Sequence, residues 1–90
     1  SGKICGIVWL DASQTGKIDR LDPRLANQTV NLQRYYYKDG QWVEDLTMVK
    51  SATSDQNGYY EFNDLDSYVE IDEEKYLAGY QAYIMRKMDI

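Results

Sequence analysis

Short apolar runs that alternate with polar residues, broken by hairpin dipeptides, limit what this chain can become. The stretch "QTVNLQRYYY" places Val30, Leu32 and Tyr36 on one face and Asn31, Gln33 and Tyr35 on the other. That period of two is the signature of a half-buried strand. Asp39-Gly40 follows it, a pair suited to the two positive φ angles of a tight hairpin turn. Asn57-Gly58 in "SDQNG" is a second turn signal. "KICGIVWL", "YYEFNDL", "SYVEID" and a closing "YQAYIMRKMD" read as further strands, "QWVEDLTMVKSAT" as one or two, and "YLAGY" as a turn. Strands of this length at this spacing predict an all-β fold, a seven-stranded antiparallel β-sandwich. A helix over "EEKYLAGYQAYIMRKM" is the rival, opposed by Gly79 in its middle. The expected core is Val8, Val30, Leu32, Tyr60, Phe62, Val69 and Ile71.

Size and composition exclude several classes. Ninety residues make one domain, 1–90, with a modest core. Ser1-Gly2 reads as a tag remnant, and the chain as a module from a longer protein. Fifteen acids against 10 bases give a formal charge of −5, unlike the basic stripe of a nucleic-acid surface. There is no histidine, hence no common general base or transition-metal ligand. The single Cys5 has no internal disulfide partner and is expected to be a small buried side chain. No nucleophile–base set, zinc motif or phosphate-cradling loop is present, so a non-enzymatic role is expected. No apolar run is long enough to span a membrane. The nine tyrosines suit cross-strand packing. The alternative is an exposed face that binds carbohydrate or a host protein, and their exposure separates the two readings.

One loop carries metal chemistry in its pattern. "DASQTGKIDRLD" sets Asp11, Ser13, Thr15, Asp19 and Asp22 at positions one, three, five, nine and twelve, with Gly16 at six. Calcium takes six to eight oxygens, and a twelve-residue loop around a sharp glycine turn can supply them. Ser13 and Thr15 are uncharged, Asp22 is shorter than the usual Glu, and Lys17 and Arg20 lie inside the loop. Affinity follows charge count, so a weak site is expected. The alternative is a solvated turn with Asp and Ser bonded to nearby amides.

Taken together these motifs resemble the B-type repeat domains (Cna B-type and SdrD B-like) of Gram-positive surface adhesins and pilins. Ile4, Gly6, Val8, Trp9 and Asp11 fill the opening strand pattern, and Leu25, Val30 and Leu32 the next apolar segment. Thr53, Asp55, Asn57, Gly58, Tyr60, Phe62 and Leu65 fill the central motif, and Gly79-Tyr80 the late pair. The resemblance implies a prealbumin-like, reverse-immunoglobulin sandwich serving as a stalk or spacer in an extracellular, cell-wall-attached protein. It implies neighbouring domains of that protein as partners, a host ligand or glycan as a further one, and calcium in the first loop. It also implies an intramolecular isopeptide set, here Lys3, Glu73 and Asp89, although the family's proline is missing from "EEKYLAGY".

Overall fold

The computed structural model describes residues 1–10, 16–17 and 22–84. Six strands form: β1 (Gly2–Ile7), β2 (Thr29–Lys38), β3 (Gln41–Thr53), β4 (Tyr59–Leu65), β5 (Tyr68–Ile71) and β6 (Glu74–Tyr83). All pairings are antiparallel. One sheet has the order β3-β2-β6-β5, and β1 pairs with β4 in a second. The described residues contain no helix, so the helical rival for the last third of the chain is set aside as far as Tyr83.

Turn chemistry fixes the register. The β2–β3 hairpin closes on Asp39 (φ 52°) and Gly40 (φ 78°), the mirror-image turn whose twist matches the strands. The β5–β6 hairpin closes on Asp72 (φ 49°) and Glu73 (φ 69°). The reversal thus falls before "YLAGY", which lies inside β6 and is not the expected turn. Between β3 and β4, the Asp55 carboxylate accepts the N–H groups of Asn57 (2.8 Å) and Tyr59 (3.0 Å). Gly58, at φ 77°, lies against the chain that follows β1, and a Cβ there would stand 2.6 Å from the Val8 carbonyl oxygen.

The core joins the two sheets. Val30 and Leu32 from β2 meet Phe62 and Leu65 from β4, with Val8 beside them. Five of the seven expected core residues are buried, while Tyr60 and Ile71 are half-buried and Leu65 joins the core. Each such aliphatic or aromatic burial contributes about 1.5–3 kcal/mol. Gly6 is accounted for by its partner across the sheet: the Tyr60 ring covers it, with Cζ 2.8 Å from where a Cβ would be. Cys5 points the other way and is exposed, contrary to expectation, because Ile4 takes the core side of β1.

β3 stays a single strand across the segment expected to hold one or two, but its pairing jumps. Gln33 opposes Val49 while the next residue, Arg34, opposes Asp45. Leu46, Thr47 and Met48 therefore have no partner on β2 and form a bulge, with Leu46 and Thr47 exposed and Met48 packed toward the core. The buried Asp45 carboxylate ties the bulge. One oxygen accepts the Thr47 N–H (2.9 Å) and hydroxyl (2.6 Å). The other accepts the Arg34 Nε–H at 2.7 Å. Burial alone would raise this carboxyl, but the Thr47 hydrogen bonds and the Arg34 charge hold it below the ordinary carboxylate value.

Candidate functional site: the outer face of the four-stranded sheet

Strand alternation sorts the aromatic residues by side. Cross-strand partners share a face, so the pairs Tyr37–Trp42, Tyr35–Gly79, Gln33–Gln81, Asn31–Tyr83 and Tyr68–Leu77 all lie on the side of the sheet opposite the core. Tyr37, Trp42, Tyr68, Leu77 and Tyr83 are each more than 40% exposed there. Tyr36 and Tyr76 occupy the core side and pack on each other, ring centroids 5.3 Å apart. The "RYYY" triplet thus divides between the faces, as the alternation predicts.

Trp42 is the most constrained of the exposed rings. It starts on β3, crosses the outer surface of β2 and rests on Gly79 of β6. A Cβ at Gly79 would lie 2.9 Å from Cζ3, 3.2 Å from Cη2 and 3.3 Å from Cε3 of the indole. The two flanking atoms are nearly as close as the middle one, so Gly79 meets the flat of the ring, not its rim. Gly79 is therefore needed for close approach, a recurrent role of glycine inside strands. Tyr37 packs on the indole in a steeply inclined pair, with centroids 5.0 Å apart and planes at 63°. Despite these contacts Trp42 remains 52% exposed.

Beside the indole lies a shallow depression of about 610 Å³ lined by Tyr35, Trp42, Gly79, Tyr80 and Gln81. None of these carries a charge. The Tyr35 hydroxyl lies 3.4 Å from Gln81 Oε1, a long hydrogen bond across the strands. Charges flank the depression: Glu44 pairs across from Tyr35 on β3, and at the β5 end Lys75 stands 4.8 Å from the centre of the Tyr68 ring and pairs across from Glu70.

Of the sequence-predicted metal and crosslinking residues, none of those described lines this depression. Asp11, Ser13, Thr15 and Asp19 fall outside the described residues. Asp22 is buried, and Gly16 has the positive φ, 74°, that position six of such a loop requires. The two ends of the loop are clasped: Leu10 N–H donates to the Pro23 carbonyl (2.9 Å) and Leu25 N–H to that of Val8 (2.8 Å). Lys3 is exposed on β1 and pairs with Glu61 on β4 at 2.9 Å. Its hydrogen bond and attraction to Glu61 raise its pKa, the opposite of what a nucleophilic amine needs. Glu73 is exposed in the β5–β6 turn, on the other sheet, and Asp89 falls outside the described residues. Among the described residues no helix is long and apolar enough to cross a membrane.

Sequence reasoning named exposed tyrosines as a candidate face; it used Gly79 only against a helix and in the late Gly79-Tyr80 pair, and did not single out Trp42 or Gln81. The signal was present: the Asp39-Gly40 turn sets Trp42 opposite Tyr37, and a lone glycine in a strand marks a close approach. No protein-family model, curated protein or solved structure matches the chain.

Proposed function

We propose that this chain is a non-enzymatic, ligand-binding module of an extracellular surface protein, and that it binds through the outer face of the four-stranded sheet. The observation that carries this reading is the gathering of Tyr37, Trp42, Tyr68, Leu77 and Tyr83, all exposed, on one side of one sheet. Exposed large apolar side chains gathered on one face of a small domain mark an interaction surface. A glycan array and immobilised extracellular-matrix proteins, probed with the wild type and with a Trp42→Ala/Tyr37→Ala variant, test it. Binding should fall in the variant while the melting midpoint holds. Binding that is indifferent to the variant overturns the reading.

The ordered sequence motifs support a Cna B-type or SdrD B-like module within this proposal. On that reading the topology is prealbumin-like, with the two halves of β3 counted separately to make seven strands. Neighbouring domains of a wall-attached parent are then its covalent partners, and the module also serves as a spacer. Strand length favours the spacer role: β3 has 13 residues, about 40 Å of extended chain at roughly 3.3 Å per residue. The first loop is proposed to hold one weakly bound calcium ion. The clasped loop ends and the left-handed Gly16 support this. Melting with millimolar calcium against chelator is the test, since a ligand of the native state raises the midpoint by mass action. An unchanged midpoint retires the site.

A further inference from the structure

The geometry points to a neutral oligosaccharide as the ligand of the outer face, with one sugar ring stacked on Trp42 and its hydroxyls met by Tyr35 and Gln81. This rests on the binding-face reading above and names the chemistry of its ligand.

Three observations select that chemistry. First, the Trp42 ring is held by two neighbours, Gly79 against one flat and Tyr37 packed at 63° to it, and the residue remains 52% exposed. A pyranose offers a flat patch of C–H groups of matching shape, and a ring already fixed loses little conformational freedom on binding. Second, the polar groups beside the ring are a phenol and an amide, which can both donate to and accept from hydroxyls. The Tyr35–Gln81 contact is long at 3.4 Å and uses only the Oε1 end of the Gln81 amide. Third, the depression has no charged lining residue, and Glu44 pairs across from Tyr35 in a chain of net charge −5. Anionic ligands are therefore disfavoured. Beyond the indole, the pairs Gln33–Gln81 and Asn31–Tyr83 continue along β2 and β6. From Tyr35 to Asn31 the strip runs four residues, about 13 Å at roughly 3.3 Å each, room for more than one sugar.

The test is titration of the whole chain with neutral hexasaccharides derived from cellulose, xylan, mannan and chitin, with a polygalacturonate hexasaccharide as the acidic control. The readouts are amide shift mapping and tryptophan emission. At least one neutral glycan should shift Tyr35, the Trp42 indole, Gly79 and Gln81. Trp42→Ala should weaken that binding at least about tenfold. Gly79→Ala keeps a strand-compatible backbone but displaces the indole, and should weaken binding several-fold with circular dichroism unchanged. Binding of the acidic glycan alone overturns the proposal, as does binding unchanged in both variants. A dilution series of the protein and a Leu/Phe-rich peptide separate the two levels of inference. If self-association or the peptide shifts these residues and no neutral glycan does, the glycan assignment fails and the binding face stands. If nothing shifts them, both fail.

Discussion

Asp45→Ala removes the acceptor for three donors at once: Arg34 Nε, Thr47 N and Thr47 Oγ1. The Asp45 side chain is 1% exposed and that of Arg34 14%, so the pair is nearly dry and the orphaned guanidinium keeps little water. Removing one partner of a buried pair costs about 3–5 kcal/mol. Arg34 has some exposure and the Thr47 groups can reach solvent, so the lower end, about 3 kcal/mol, is expected. At about 0.05–0.15 kcal/mol per residue, 90 residues give a total stability of roughly 5–13 kcal/mol. The substitution therefore removes from about a quarter to about three-fifths of it. A domain this size loses about 4–8 °C per kcal/mol, hence roughly 12–24 °C in Tm. Urea unfolding followed by circular dichroism measures the free energy directly. Arg34→Met should also destabilise, by leaving the carboxylate buried alone. The double variant should cost less than the sum, since the two changes remove the same interaction. A loss below about 1 kcal/mol for Asp45→Ala, or strict additivity in the cycle, refutes the assignment of Asp45 as the tie of the β3 bulge.

The same carboxylate predicts an acid limit. Its folded pKa is below the ordinary 3.8, so its contribution is complete above that value and is lost as pH falls through the depressed one; Asp45→Asn should flatten stability in that range. Gly58→Ala should destabilise by about 1–2 kcal/mol from its left-handed φ alone, with more from the 2.6 Å approach to the Val8 carbonyl oxygen, read as a lower urea midpoint. Leu32→Ala, at a site 2% exposed, should cost about 2–5 kcal/mol by the same assay. Tyr76 donates to Glu74 at 2.7 Å, and that bond pushes its phenol up to about 12. Its stabilising bond is complete below the unfolded value near 10 and is lost as pH rises through the folded one. Tyr76→Phe should remove the latest step of the phenolate absorbance titration.

Much of the fold was legible because its signals are local. Val30 and Leu32 alternate with Asn31 and Gln33, and both pairs landed on the expected faces. Asp55, Gly58, Tyr60, Phe62 and Leu65, read as one motif, proved to be a turn cap, a left-handed turn, a cover for Gly6 and two core residues. The errors came where a local signal had two meanings. Gly79 reads as a turn in sequence, yet what demands glycine there is an indole from another strand. Asp72-Glu73 has no glycine, so its turn was hidden behind its charges. The β3 bulge was invisible because Asp45 and Arg34 are 11 apart in sequence, and nothing local says that they meet. Exposure of Trp42 depended on which face the core takes, a property of the whole sheet.

That bulge also bears on what happens when many copies stand side by side. Among the described strands β3 is one of the two edges of its sheet, opposite β5, and it is the longest. A long, straight edge is a template on which a second chain can add as a strand. Here the three extra residues split the edge into two short ladders out of step with each other. An incoming strand can follow one half but not both. The Asp45 tie is thus a barrier to sheet-to-sheet fusion. Its loss should appear first as aggregation in crowded samples, before the monomer itself unfolds.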